Sequence, residues 1–368
     1  QNIGSWNTQN VTDMGYMFLN ALNFNQNLSN WNVSSVTNMS GMFRNATSFN
    51  GDISTWDVSN VTNMSSMFAE CHEFNQDLSS WDVSNVIYMD KMFERAYVFN
   101  SDVSNWNVSS VINMSHLFYG CTNFVGNISV WDVSNVIDMS RMFDTASNFN
   151  QDISNWDVSN VTNISGMFWN APSFNVNISE WNVSNVTNMS RMFYGASNFN
   201  QDISSWDVSN VTNMEQTFDG ASSFTSDLSE WDVSNVVNMW GTFSNATSFD
   251  SDLSSWNVAS VTTFENTFNN TGISYFNKCA IHESWSDQND NWAYDWSEFC
   301  AFFPQSKNEL ETAIDLWVDD NSAALETYGQ INTWNVSLIN DMSMVFINKD
   351  SFNDDIGNWD VSNATNMM

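Results

Sequence analysis

Asp287, Asn289, Asn291, Ala293, Asp295 and Glu298 stand at positions 1, 3, 5, 7, 9 and 12 of one window. That is the spacing at which a calcium loop alternates oxygen ligands and closes its shell with a carboxylate. Calcium is the one cofactor the chain suggests, and nothing in it requires any. Trp292 occupies position 6, where the loop pattern needs glycine, and no pair of flanking helices frames the segment. The plainer reading is an acidic surface loop with Trp285, Trp292 and Trp296 as its own small core.

Two further sets of oxygen ligands run as columns at 25-residue intervals. One follows each tryptophan and holds Asp57, Asp82, Asp132, Asp157, Asp207 and Asp232, with Asn32, Asn107 and Asn182 interspersed. The other lies four residues before it, as in Asp52, Asp77, Asp102 and Asp152. Like charges one repeat apart repel, so both columns must be solvated, hydrogen-bonded or bridged by cations. The earlier column is read as accepting backbone N–H bonds at the entry to each strand, and the column beside tryptophan as the face for a ligand or calcium. Catalysis finds little support. His72, His116 and His282 are the only histidines, and no nucleophile, base or metal triad recurs with them.

Cys279 and Cys300 flank the calcium-like loop and read as a local disulfide. Cys71 and Cys121 occupy one position in repeats two apart, about 10 Å by strand spacing, too far for a bond. They read as buried thiols in the slot that Ala46 and Ala146 fill elsewhere. Asn38, Asn60, Asn113, Asn163 and Asn188 open Asn-x-Ser/Thr triplets, which are N-glycosylation acceptors in a eukaryotic secreted product.

What positions all of these is a repeat. Tryptophan falls at 6, 31, 56, 81, 106, 131, 156, 181, 206, 231 and 256. An unbroken period of this length means stacked units, because one unit cannot bury its own apolar face. In one unit Trp81 and Val83 share a face while Asp82 points away, which is strand periodicity. From Met89 through Met92, Phe93 and Ala96 towards Phe99 the interval becomes three and four, the spacing of a helical turn. The expected fold is an α/β solenoid: a leucine-rich-repeat-like stack of short parallel strands and short helical or 3-10 returns, interrupted by a helical cap segment. Trp81, Val83, Met92, Phe93 and Phe99 are its core, with strands about 4.8 Å apart.

After Trp256 the period fails, and matching tryptophans return only at Trp334 and Trp359. Ser306 with Glu309 makes a helix start, and Leu310, Ala313, Ile314, Trp317 and Val318 form one apolar stripe. The expected organisation is a first array over 1–274, a terminating cap over 275–303, a helical opening cap over 304–330, and a second array over 331–368. The chain is expected to be a processed piece that continues beyond Met368.

Phrases such as "DLSSWDVSNVTNM" and "MFYGASNFNQDIS" carry the signature of Trp206, Asp207, Val208, Met192 and Phe193. Here the chain resembles the BspA-like leucine-rich repeat surface proteins, over about 1–274 and again over 331–368. The resemblance implies secretion, display at a cell surface, adhesion to host or matrix proteins, and no cofactor. The formal charge of −34 leaves no cation supply for binding nucleic acid, and no apolar run reaches membrane-spanning length. The function expected is therefore non-catalytic: an extracellular structural or adhesive protein, as a tandem-module subunit of a surface filament or flagellar appendage. Its partners would be copies of itself, other extracellular matrix or surface proteins, and glycans. The alternative is a recognition module for carbohydrate or protein at the cell surface.

Overall fold

The computed structural model describes residues 3–368, apart from the side chains of Phe276, Glu298 and Glu326. It divides into two compact units. The first is Gln1–Ile273 with Gln288–Ala293, and the second is Ser274–Asp287 with Tyr294–Met368.

In the first unit the 25-residue segments lie one upon the next, but not as a leucine-rich-repeat solenoid. Among the described residues there is no β-strand and no helix within the repeats. The expected parallel strands are replaced by one bridging residue per repeat, as in Asn63↔Tyr88 and Tyr88↔Asn113. The reason is local. Asp77 Oδ1 accepts the Ser79 N–H at 2.9 Å and Asp82 Oδ1 accepts the Ser84 N–H at 3.0 Å. Each of these side-chain turns bends the chain at its own start. The Trp81 N–H then closes on the Leu78 carbonyl at 3.1 Å and the Val86 N–H on Val83 at 2.9 Å. Those donors are taken up within the repeat, so no strand ladder can form from them.

The expected helical or 3-10 return is also absent, because its N–H groups alternate in direction. Met89, Lys91, Phe93 and Arg95 donate to Asn113, Ser115, Leu117 and Tyr119 of the next repeat, at 3.2, 2.9, 3.0 and 2.6 Å. Met92, Glu94 and Ala96 donate three residues back, to Met89, Lys91 and Phe93, at 3.2, 3.1 and 2.9 Å. A helix would point every N–H the same way along its own axis. The alternation is made by left-handed residues two and six positions after Met89, Lys91 at φ 58° and Arg95 at φ 54°. Gly41 and Gly166 fill the first of these positions elsewhere, at φ 57° and 61°, where glycine carries no Cβ penalty.

Side chains complete the joint between repeats. Trp81, Val83, Met92, Phe93 and Phe99 are all buried. Indoles stack along the unit, Trp31 on Trp56 at 6.5 Å and Trp56 on Trp81 at 6.4 Å. Each also donates its N–H to a carbonyl of the preceding repeat, Trp81 to Ile53 at 3.3 Å and Trp106 to Leu78 at 3.0 Å. Phe93 lies 5.8 Å from Phe68 and Phe118, its equivalents on either side, and 3.8 Å from Phe99. Buried donors and rings are thus satisfied together.

Residues 288–293 close the last repeat. Gln288 accepts the Val258 N–H at 2.9 Å and donates to Trp256 O at 3.1 Å. Asn289 donates to the carbonyls of Val258 and Val261, both at 2.7 Å. Trp292 stands edge-on to Phe264 at 5.5 Å and Phe268 at 6.3 Å.

The second unit carries the three α-helices of the described residues: α1 (Tyr275–Gln288, whose last residue belongs to the first unit), α2 (Lys307–Asp319) and α3 (Asn321–Tyr328). Ser306 caps α2 by accepting the Glu309 N–H at 3.2 Å. The α2 stripe of Leu310, Ala313, Ile314 and Trp317 packs into one core with Trp334, Val336 and Trp359. There the repeat resumes, with Trp334 stacked on Trp359 at 6.2 Å and a bridge at Asp341↔Asn366.

Phe93→Ala removes a ring packed on both sides and is expected to cost about 3–5 kcal/mol, read as a lower urea midpoint. A loss of stability below about 1 kcal/mol would contradict the stacking described.

Candidate functional site

The aspartate columns are built by the turns they start. Asp57, Asp132 and Asp207 Oδ1 each accept the N–H and the hydroxyl of the serine two residues on, the hydroxyls all at 2.6 Å. Asp82, Asp157 and Asp232 accept the same serine N–H at 3.0 Å. The column four residues before tryptophan makes the same bond, as Asp152 does with Ser154. The two columns therefore share one task, and the tryptophan-adjacent one is not set apart by its chemistry. Asn107 and Asn182 hold Ser109 and Ser184 identically, which explains why Asp and Asn interchange.

These bonds favour the charged carboxylate. The serine hydroxyl, then the serine N–H, hold Asp82, Asp157 and Asp232 below the ordinary carboxylate range. A lowered folded pKa contributes stability above the unfolded value near 4, and that contribution fades as the pH falls through the folded value.

Asparagine does further work that the sequence reading did not assign. Backbone N–H groups of Asn50, Asn75 and Asn100 donate to the side-chain oxygens of Asn25, Asn50 and Asn75, at 2.8, 3.0 and 2.9 Å. The signal was present as a column of Asn at the repeat period. Of the glycosylation candidates, Asn60 is exposed and its Nδ2 donates to Ser34 O at 2.8 Å. Asn38, Asn113, Asn163 and Asn188 are half-buried in the bridging column, each accepting the N–H two residues on.

Residues of the calcium-like window make bonds of their own. Asn289 is buried and turned onto the last repeat, while its Oδ1 accepts the Asn291 N–H at 2.9 Å. Asp295 starts its own turn, accepting the Ser297 N–H at 3.2 Å and hydroxyl at 2.6 Å. Asp287 and Asp295 fall in the second unit and Asn289 and Asn291 in the first, and the Glu298 side chain lies outside the described residues.

Cys279, on α1, is disulfide-bonded to Cys300, at the end of the 3-10 turn Ser297–Cys300. With Glu283 they form the one group of three metal-ligating side chains among the described residues, ligand atoms all within 4.8 Å. A cavity of 310 Å³ opens beside them, lined also by Phe299, Phe302 and Phe303. Glu283 had no role in the sequence reading; its place four residues after Cys279 was the available clue. Cys71 and Cys121 are free and buried, their thiols donating to Phe43 O and Phe93 O at 3.0 Å, and burial pushes both well above the usual thiol range.

One outward patch of the first unit does not repeat. Arg141 and Arg191 lie over Trp169 at 4.6 and 5.2 Å, and Arg95 over Tyr119 at 5.4 Å. Arg95 pairs with Glu70 at 2.9 Å and Arg191 with Glu215. Burial pushes the Asp144 carboxyl up to about 7 despite Arg141 and Arg95. Burial, then Lys91 and Arg141, push the His116 imidazole down to about 4.

A family described as "Mycoplasma protein of unknown function, DUF285" matches residues 1–105, 89–196, 176–285 and 318–368. The chain belongs to that family. This corrects the expected membership among BspA-like leucine-rich repeat proteins, whose parallel strands are also absent. No curated protein matches. Among solved structures, "Crystal structure of TLR13-ssRNA13 complex" is similar at 8% identity and a TM-score of 0.18, over 69% of this chain and 51% of that one. The chain thus spans about half the length of that structure, and so low a score carries no argument about fold. No helix of the described residues is long and apolar enough to cross a membrane.

Two outcomes follow from the carboxylates. Asp82→Asn keeps the acceptor and is expected to leave stability nearly unchanged, whereas Asp82→Ala loses about 0.5–2 kcal/mol by analogy with side-chain caps; equal midpoints for the two variants would refute the role of Oδ1. For Asp144 the folded pKa is raised, so its stability contribution declines as pH rises from about 4 to about 7. Asp144→Asn is therefore expected to stabilise the protein at pH 8 by on the order of 1 kcal/mol more than at pH 4, measured by denaturant unfolding at both.

Proposed function

We propose that the chain is an extracellular structural or adhesive protein, working as a tandem-module component of a surface filament or appendage and without catalysis. The observation that carries this reading is the uniformity of the joint between repeats. Indole stacks, asparagine oxygens and serine-holding aspartates recur in nearly every repeat of the first unit. A chain whose polar side chains mostly build its own lattice presents the same faces over and over, which suits load-bearing or multivalent contact more than recognition of one small molecule. The resumed repeat at Trp334 and Trp359 gives a second module the same chemistry. Partners are accordingly copies of itself, other surface or matrix proteins, and glycans on either side of the contact. The acidic excess favours solubility, and calcium is the cation most suited to oxygen columns.

A second reading is favoured by the non-repeating patch around Trp169. Arg, Trp and Tyr are the residue types that dominate binding hot spots, and Arg95, Tyr119, Arg141, Trp169 and Arg191 gather there. On that reading the chain recognises a protein or carbohydrate ligand at the cell surface.

Electron microscopy of native material, with sedimentation velocity in the presence and absence of calcium, separates the two. Ordered assemblies are expected; dispersed monomers under both conditions would overturn the filament reading. Binding to a glycan or matrix-protein panel that disappears in Trp169→Ala would establish the recognition module in its place.

A further inference from the structure

We propose that Cys279, Glu283 and Cys300 form a redox-gated site for a thiophilic divalent cation, zinc foremost, available when the bond between the two sulfurs is open. The inference goes beyond the structural or adhesive reading and does not rest on it.

Cys279 and Glu283 are four residues apart on α1, so their side chains share one helix face. Cys300 arrives from the end of the turn Ser297–Cys300. The three ligand atoms lie within 4.8 Å of one another, the two sulfurs joined by their bond and the Glu283 carboxylate beside them. Both cysteines are half-buried and Glu283 is exposed, so the group is reachable. Two thiolates and a carboxylate are a zinc donor set, and soft sulfur ligands select zinc over calcium or magnesium. The neighbouring 310 Å³ cavity leaves room at the fourth tetrahedral position for water or a small donor. A second carboxylate, Glu309, lines the same cavity and adds negative potential.

Disulfide and metal exclude each other, because the metal ligand is the thiolate. A dithiol reductant opens the site: its thiolate attacks one sulfur, the Cys279–Cys300 bond breaks, and a mixed disulfide forms. The reductant's second thiol resolves that bond and leaves as a cyclic disulfide, so two electrons and two protons pass to the cysteines. Zinc then displaces the two thiol protons on binding. Cys71 and Cys121 do not compete, since both are buried and burial disfavours their thiolates.

The test uses the whole chain carrying Cys71→Ala and Cys121→Ala, reduced under nitrogen and titrated with cobalt(II) alone. One equivalent is expected to bind with sulfur-to-cobalt charge-transfer absorption, and zinc should displace it. The oxidised protein should give no such band. Glu283→Gln, which keeps both cysteines and the helix, is expected to weaken cobalt binding by about tenfold or more, the scale on which changes around a metal site act. Circular dichroism of each reduced sample reports that the helix content is retained. A reduced, helical protein that takes up no cobalt would overturn the proposal, and so would binding of equal strength in parent and Glu283→Gln.

Discussion

The structure depends on N–H groups that no repeat can satisfy by itself. Along each return segment every second donor points out of its own repeat, so that Met89, Lys91, Phe93 and Arg95 need the carbonyls of Asn113, Ser115, Leu117 and Tyr119. An isolated repeat would leave those donors to water and its rings exposed, which is why the unit of folding is the joint between repeats and not the repeat. The same joint fixes the period. Inserting a residue between Trp81 and Phe93 would move the indole out of line with Trp56 or the phenyl out of line with Phe68. Three kinds of contact, backbone, indole and phenyl, must all advance by the same number of residues.

Charge is subordinate to this geometry. A formal −34 disfavours a compact state through self-repulsion, yet the columns that hold much of it are hydrogen-bonded at the turns they begin. Where Asn replaces Asp, the turn is kept and the charge is dropped, as at Asn107 and Asn182. The requirement at these positions is an oxygen that accepts two residues ahead; the negative charge is incidental to the fold and relevant to the surface.

The repeat, its register and its core were legible because tryptophan spacing depends on nothing but the period. Strand and helix were misread for a physical reason. A chain that turns twice in ten residues (roughly) imitates both kinds of hydrophobic periodicity, since Trp81 and Val83 are buried two apart while Met89, Met92, Phe93 and Ala96 are buried at three and one. The left-handed residues that decide the matter are Lys91 and Arg95, and neither residue type advertises a positive φ. Of the candidate site, the cysteine pair was legible from its position around a loop. Within the calcium-like window, the use of Asn289 in closing the last repeat was not legible. An amide side chain reads alike in sequence whether it faces solvent or a severed hydrogen-bond ladder.

Departures from the repeat carry the rest of the information. At the position of Gly41, Gly166 and Gly241, the intervening repeats place Ser66, Lys91, His116, Arg141, Arg191 and Gln216, all with φ between 51° and 58°. A side chain in the left-handed region costs about 1–2 kcal/mol relative to a right-handed one, and glycine would avoid it. β-branched Thr145, at φ 55°, is more strained still. The backbone there is over-determined by its inter-repeat bonds, so the strain is borne locally. Strain retained where glycine is readily available marks positions held for what their side chains contact. At Arg141 and Arg191 those contacts are the guanidinium–indole pairs with Trp169.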